Sequence, residues 1–108
     1  MSINKQEIKT KVNQTIDQYS DVLIKTSKDI ADNPEPGFRE VKTSNKVAEW
    51  FQNLGMEYQG GIAVTGLKAT LQGKAGDGPT IAVIGELDSM VVPGHAIEDP
   101  VTHAAHAC

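Results

Sequence analysis

The run Thr80-Ile81-Ala82-Val83-Ile84 constrains this chain more than any other stretch. It is short, apolar and largely β-branched, the composition of a strand buried on both faces of a parallel or mixed sheet. It leads straight into Gly85-Glu86-Leu87-Asp88-Ser89-Met90. Acidic side chains therefore stand at the carboxyl end of the expected strand, the rim where open α/β sheets place their sites. The loop beyond supplies His95, Glu98, Asp99, His103, His106 and the single cysteine, Cys108. No other region is as dense in side chains able to bind a metal.

The residues ahead of this strand read as its supports. Ile8, Val12, Ile16, Tyr19, Leu23 and Ile30 recur at spacings of three, four or seven, which predicts one amphipathic helix over residues 4–31. Asn4 with Glu7 three residues later fits a capping box. Pro34 ends the helix by disfavouring helical backbone in Asn33. Pro34-Glu35-Pro36-Gly37 is a turn by chemistry, with two fixed φ angles and a permissive glycine. Phe38 is then expected to anchor against the next helix. That helix runs from about Glu40 to Leu54, with Val47, Trp50, Phe51 and Leu54 mostly on one face, where core packing is the preferred reading of the aromatics. Gly55 is placed to end it in a left-handed conformation.

Short strands follow. Met56 to Gln59 is expected to form one, broken by Gly60-Gly61. Leu67, Ala69 and Leu71 alternate with Lys68, Thr70 and Gln72, as in a strand with one wet face. Gly73 to Pro79 reads as a hairpin-type loop. Its glycines make no phosphate-binding signature, since neither Gly-Lys-Ser/Thr nor a Gly-x-Gly-x-x-Gly opening a helix is present. The expected order is α-α-β-β-β with a loop-like tail, an α/β fold.

Composition narrows the classes of function. A hydrophobic fraction of 39% with 22% charged residues suits a folded domain. The net charge of -4 offers no basic stripe for a nucleic-acid partner. The polar stretch from Ser2 to Lys11 lacks the apolar core of a signal peptide, and no run is long enough to span a bilayer. One cysteine makes no internal disulfide, so the cytoplasm is the expected compartment.

Glu86-Leu87-Asp88-Ser89-Met90 followed by His106-Ala107-Cys108 resembles the dinuclear-metal amidohydrolase and exopeptidase family, which holds aminoacylases, carboxypeptidases and hydrolases of N-acyl and aminobenzoyl amino acids. Asn33-Pro34-Glu35-Pro36-Gly37-Phe38 is similar to that family's His-Pro-Glu-Leu-Gly-Phe segment before its second helix. Leu54-Gly55, Val64-Thr65-Gly66-Leu67 and Gly78-Pro79-Thr80-Ile81 also fall in the family's order. The resemblance spans nearly the whole chain and corresponds to the leading part of a complete member. It implies that residues 1–108 are the N-terminal portion of a three-layer α/β/α zinc-exopeptidase-like catalytic domain, without the satellite dimerisation domain.

The same resemblance implies site roles residue by residue. Cys108 matches a metal-binding cysteine, with a terminal thiol holding nothing as the plainer alternative. Asp88 matches an aspartate that lies behind the metals and orients ligands or water, against the alternative of an acidic turn residue. Glu86 departs from the pattern. One branch carries a metal-binding histidine there and the other often an aspartate, and Glu86 is a metal-ligand candidate in that position. The implied cofactor is a pair of divalent ions, zinc or manganese, which acidify a bridging water and polarise a carbonyl. The implied substrate is an N-acyl amino acid or small peptide. Glu35 is expected to be structural. His103, His106 and Cys108 taken alone make a weak zinc signature, because structural sites usually draw ligand pairs from separated segments.

Further ligands and the general base of such a family come from segments that no residue of this chain matches. The chain alone is therefore expected to lack amidase activity. An incomplete sheet would leave an unpaired edge and an uncovered apolar face, so self-association is expected. The alternative reading is a truncated, non-catalytic α/β module that only self-associates or binds a partner.

Overall fold

The computed structural model describes the backbone of residues 4–107 and the side chains of residues 4–105. The chain divides into two units, one up to Asp32 and one from Asn33 onward.

The first unit is helix α1, Lys5–Ala31. Asn4 caps it, and its carboxamide oxygen accepts from Gln6 N at 2.9 Å. Thr10, Thr15 and Thr26 return their hydroxyls to carbonyls one turn back, which satisfies them inside the helix. The expected apolar stripe is present, but none of its members is buried. Ile16, for instance, remains 51% exposed. Periodicity fixed the helix, whereas burial needs a surface to pack against.

The second unit begins with the Pro34–Gly37 turn, which Arg39 N closes by donating to Pro36 O at 3.0 Å. Helix α2, Val41–Asn53, follows. Its N-cap Glu40 makes no side-chain cap bond. The capping acceptor is Glu35, whose carboxylate takes Lys42 N at 3.0 Å, Thr43 N at 2.7 Å and Thr43 Oγ1 at 2.7 Å. A carboxylate there satisfies orphan amides and complements the positive end of the helix. At the other end Gly55 takes φ 68°, donating to Gln52 O, while Met56 N reaches Phe51 O. This pair of bonds is a Schellman motif, the end expected from Gly55. Phe38 does not anchor the helix. It lies in left-handed backbone with φ 63° and is 70% exposed, because the turn before it directs the side chain outward.

Strands β1, Tyr58–Ile62, and β2, Gly66–Ala69, pair antiparallel with Tyr58 opposite Ala69 and Ile62 opposite Gly66. The register slips between Gln59 and Ile62. Gly60-Gly61 therefore irregularises the strand rather than ending it, and Gly61 takes φ 69°. At Gly66 a Cβ would stand 2.6 Å from Ile62 O, so only glycine admits this approach of the two strands. Helix α2 and its N-cap dock on the hairpin through four contacts. Ser44 Oγ donates to Thr65 O at 2.7 Å, Thr65 Oγ1 donates to Glu40 Oε2 at 2.6 Å, Gln52 Nε2 donates to the Tyr58 hydroxyl at 3.1 Å, and the Phe51 and Tyr58 rings lie 5.7 Å apart. Trp50 and Phe51 are half-buried, in keeping with a packing role.

The sheet differs most from expectation after Ala69. No strand forms over Thr80–Ile84, and every residue from Leu71 to Glu86 is exposed. The composition of a central strand is present, but a strand exists only with ladder partners, and none is supplied among the described residues. Likewise Gly73–Pro79 joins no paired strands. The segment expected to be a loop-like tail instead contributes β3, Ser89–Val91, and β4, Ala104–Ala107, paired antiparallel. Among the described residues the architecture is mixed α/β, with two helices and two separate two-stranded antiparallel sheets, in the order α-α-β-β-β-β. Its buried residues are few: Ala104, Ala105, Ser89, Thr43 and Glu40 among those described. No helix in the described residues is long and apolar enough to cross a membrane.

Candidate functional site at the β3–β4 hairpin

The acidic strand-end motif and the histidine-rich segment are separated by a long loop in sequence, and β3 and β4 bring them together. Ser89 pairs with Ala107 and Val91 with Ala104. This pairing sets Asp88, the residue before β3, beside the strand end at Ala107, which precedes Cys108 in the sequence. Cys108 itself lies outside the described residues, and His106 is placed only as part of β4. Asp88 is half-buried and Glu86 is exposed, on the unpaired stretch that leads into β3.

Ser89 is the anchor of this arrangement. It is 3% exposed, and its amide donates to Glu35 O at 2.7 Å. One residue thus serves two elements: the Glu35 carboxylate caps α2 while its carbonyl holds the start of β3. The segment expected to be structural by resemblance is structural by geometry. It fixes the backbone immediately after Asp88.

The loop from Val92 to His103 is a compact hydrogen-bonded excursion. Val92 N donates to His103 O, His103 N to Asp99 O, and Asp99 N to Ala104 O, each at 2.8 Å. Within it Asp99 Oδ1 accepts from Thr102 N at 2.8 Å, Thr102 Oγ1 at 3.0 Å and Val101 N at 3.0 Å. Hydrogen bonds from the Thr102 amide, the Thr102 hydroxyl and the Val101 amide, with a smaller contribution from the positive charge of Lys42, hold the Asp99 carboxyl below its usual value. A lowered folded pKa contributes stability that is present above the unfolded value and is lost as pH falls through the folded one. The loop is therefore expected to loosen on acidification below the ordinary carboxylate range. Exchange of the Thr102 amide measured from neutral to acid pH checks this. Faster opening at acid pH is the expected result, and Asp99→Asn should remove the dependence.

Glu98 and His103 form a second pair in the same loop. His103 Nδ1 lies 2.7 Å from Glu98 Oε2, which also accepts from Gly94 N at 3.1 Å. The carboxylate favours the tautomer with the proton on Nδ1 and leaves Nε2 as the acceptor nitrogen. His103 adopts φ 59°, a left-handed conformation held by the bonds of its own amide and carbonyl. His95 is half-buried, and its Nδ1 accepts from Ile97 N at 3.3 Å.

Besides the β3–β4 pairing itself, sequence reasoning missed three features of this unit. It did not foresee the Glu98–His103 pair, the Asp99 turn, or the Glu40–Thr65 bond behind α2. Burial works against ionisation of Glu40, but the hydrogen bond from Thr65 and those from backbone amides outweigh it, so its carboxyl lies below the usual value. Asp99 followed three residues later by Thr102 was the available signal for the turn, a side chain meeting amides two and three residues on.

The described residues do not by themselves compose a metal centre. No group of three or more histidine, cysteine, aspartate or glutamate side chains among them is placed to hold an ion. The arrangement supports a narrower statement: a mixed α/β unit positions an acidic strand end next to the strand that leads into Cys108.

No family model matches the chain, and no solved structure does. The chain is similar to thermostable carboxypeptidase 2 of Saccharolobus solfataricus, with 28% identity over 102 residues that cover 91% of this chain and 26% of that protein. It spans about a quarter of the length of that curated relative.

Proposed function

We propose that residues 1–108 form the N-terminal part of the catalytic domain of a metal-dependent peptidase or amidohydrolase, acting on the amide bond of an N-acyl amino acid or small peptide. The observation that carries this reading is the similarity to a carboxypeptidase along almost the whole chain. The β3–β4 pairing adds a physical reason, since it joins the two motifs at one strand end.

In this reading Cys108 and Glu86 belong to the ligand set of a divalent metal, zinc or manganese, and Asp88 is a positioning residue behind it. Thiolate suits zinc and carboxylate suits either ion. The remaining ligands and the three-layer sheet come from other segments of a longer polypeptide. The alternative reading is a non-catalytic α/β module that only self-associates or binds a partner.

The test compares two samples. The 108-residue chain alone is expected to show no turnover of N-acyl amino acids or dipeptides with zinc or manganese. The polypeptide isolated from its native source is expected to hydrolyse them, to lose activity on chelation, and to lose roughly 10- to 100-fold in kcat on Asp88→Asn. Full activity in Asp88→Asn, or no chelator-sensitive hydrolysis in the native polypeptide, overturns the proposal.

A further inference from the structure

Two bonds in this chain join an aspartate to glycine or serine: Asp77-Gly78 and Asp88-Ser89. A small following residue matters because the next amide nitrogen lies close to the aspartate's own Cγ, and side-chain atoms on that residue crowd the approach. Such a ring closure is intramolecular, so it needs only a free carboxyl, a free amide and room to turn. The structure treats the two bonds in opposite ways.

At Asp88-Ser89 the nucleophile is taken. Ser89 is 3% exposed, opens β3, and its amide donates to Glu35 O at 2.7 Å. At Asp77-Gly78 both partners are free. Both residues are exposed and lie outside the helices and strands, and neither makes a hydrogen bond among the described residues. A Cβ built on Gly78 would meet nothing within 4 Å, so the segment is open there. The remaining aspartates are poorer candidates. Asp17, Asp21 and Asp29 sit inside α1, where the following amides are spent on helical bonds. Asp32 precedes Asn33, whose side chain crowds the nitrogen, and Asp99 precedes Pro100, whose nitrogen has no hydrogen to lose.

We propose that Asp77-Gly78 is a self-modification site, at which the chain converts Asp77 to isoaspartate through a cyclic imide, while the fold withholds Asp88-Ser89 from the same reaction. The Gly78 nitrogen attacks Cγ of Asp77. An N–Cγ bond forms, and the carboxyl hydroxyl leaves with the amide hydrogen as water. Water then adds to one of the two imide carbonyls. Addition at Cγ breaks the new bond and restores Asp77. Addition at the main-chain carbonyl breaks the original peptide bond and leaves the chain running through Cγ. One water is lost and one regained, so no other reactant is needed. The product carries one extra backbone atom just ahead of Thr80–Ile84, and its free carboxylate stands on Cα.

This inference rests neither on the peptidase reading nor on what pairs with Thr80–Ile84. Pro79 has no amide to give a ladder, so pairing of that strand ends beside it and leaves Gly78 in the loop.

The experiment ages the 108-residue chain in warm neutral buffer, folded and in denaturing urea, with circular dichroism to follow folding. Isoaspartyl carboxyls are tagged by an isoaspartate-specific methyltransferase with labelled methyl donor and located by peptide mapping. In the folded chain the label is expected to build up at Asp77, preceded by a species lighter by one water, with only background at Asp88. Gly78→Val is expected to lose the Asp77 label. The open space at Gly78 admits the new side chain, so this variant keeps the fold. In urea the Ser89 amide is released from Glu35, and label is expected to appear at Asp88 as well. An unlabelled Asp77, a label that persists in Gly78→Val, folded chain labelled at Asp88 as fast as at Asp77, or an Asp88 still unlabelled in urea each overturn the proposal.

Discussion

Glu35→Ala is expected to lower the stability of the second unit by about 2 kcal/mol, the sum of a lost N-terminal cap and lost charge-assisted hydrogen bonds. Three donors depend on that carboxylate: Lys42 N, Thr43 N and Thr43 Oγ1. Thr43 is only 4% exposed, so water does not readily replace the lost acceptor. In a domain of this size such a loss lowers the melting temperature by roughly 8–15 °C. Glu35→Gln keeps one acceptor oxygen and should lose about half as much. Thermal unfolding of the three proteins measures the difference, and equal midpoints would contradict the cap. Because Glu35 O also holds Ser89 N, faster amide exchange at Ser89 in Glu35→Ala would show that the cap and the β3 anchor are coupled.

The second large effect is expected at Ala104. It is fully buried and faces Val91 across the β3–β4 ladder. Ala104→Leu adds volume where no space exists, which costs about 2–3 kcal/mol through displaced backbone and strained rotamers. The same change at the exposed Ala96 should stay within about 0.5 kcal/mol. Denaturant midpoints of the two variants measure this contrast. If Ala104→Leu matches Ala96→Leu, the hairpin is not the packed element described. The consequence extends to the site, because only this ladder sets Asp88 beside the strand leading to Cys108.

What the sequence made legible follows from what it encodes locally. Helix α1 and its Asn4 cap were readable because periodicity and capping chemistry act within a few residues. The end of α2 at Gly55 was readable because a left-handed C-terminal position favours glycine. The two β1–β2 segments were readable to within a few residues, although the glycine pair proved to be an irregularity inside a strand. Thr80–Ile84 failed for a different reason. Its composition states what a partner would bury, while the pairing itself belongs to whatever segment supplies the ladder. The β3–β4 hairpin was missed because Ser89–Val91 is three residues long and Ala104–Ala107 is largely alanine, so neither carries a β-strand signature.

The candidate site was legible as residue types and not as geometry. Asp88, Glu86 and Cys108 drew attention through motif resemblance. The structure places Asp88 immediately before β3 and leaves Glu86 on the exposed stretch ahead of it. The Glu98–His103 pair was hidden because His103 occupies a left-handed position without the glycine or asparagine that usually announces one.

The central claim is that this chain is the leading part of a larger peptidase-type catalytic domain. The most direct measurement is the intact mass of the polypeptide in its native source, compared with the 11.6 kDa of this chain. The account predicts a mass several times larger, from a protein whose hydrolytic activity depends on a divalent metal. A native mass of 11.6 kDa would contradict it and leave the non-catalytic α/β module as the surviving reading.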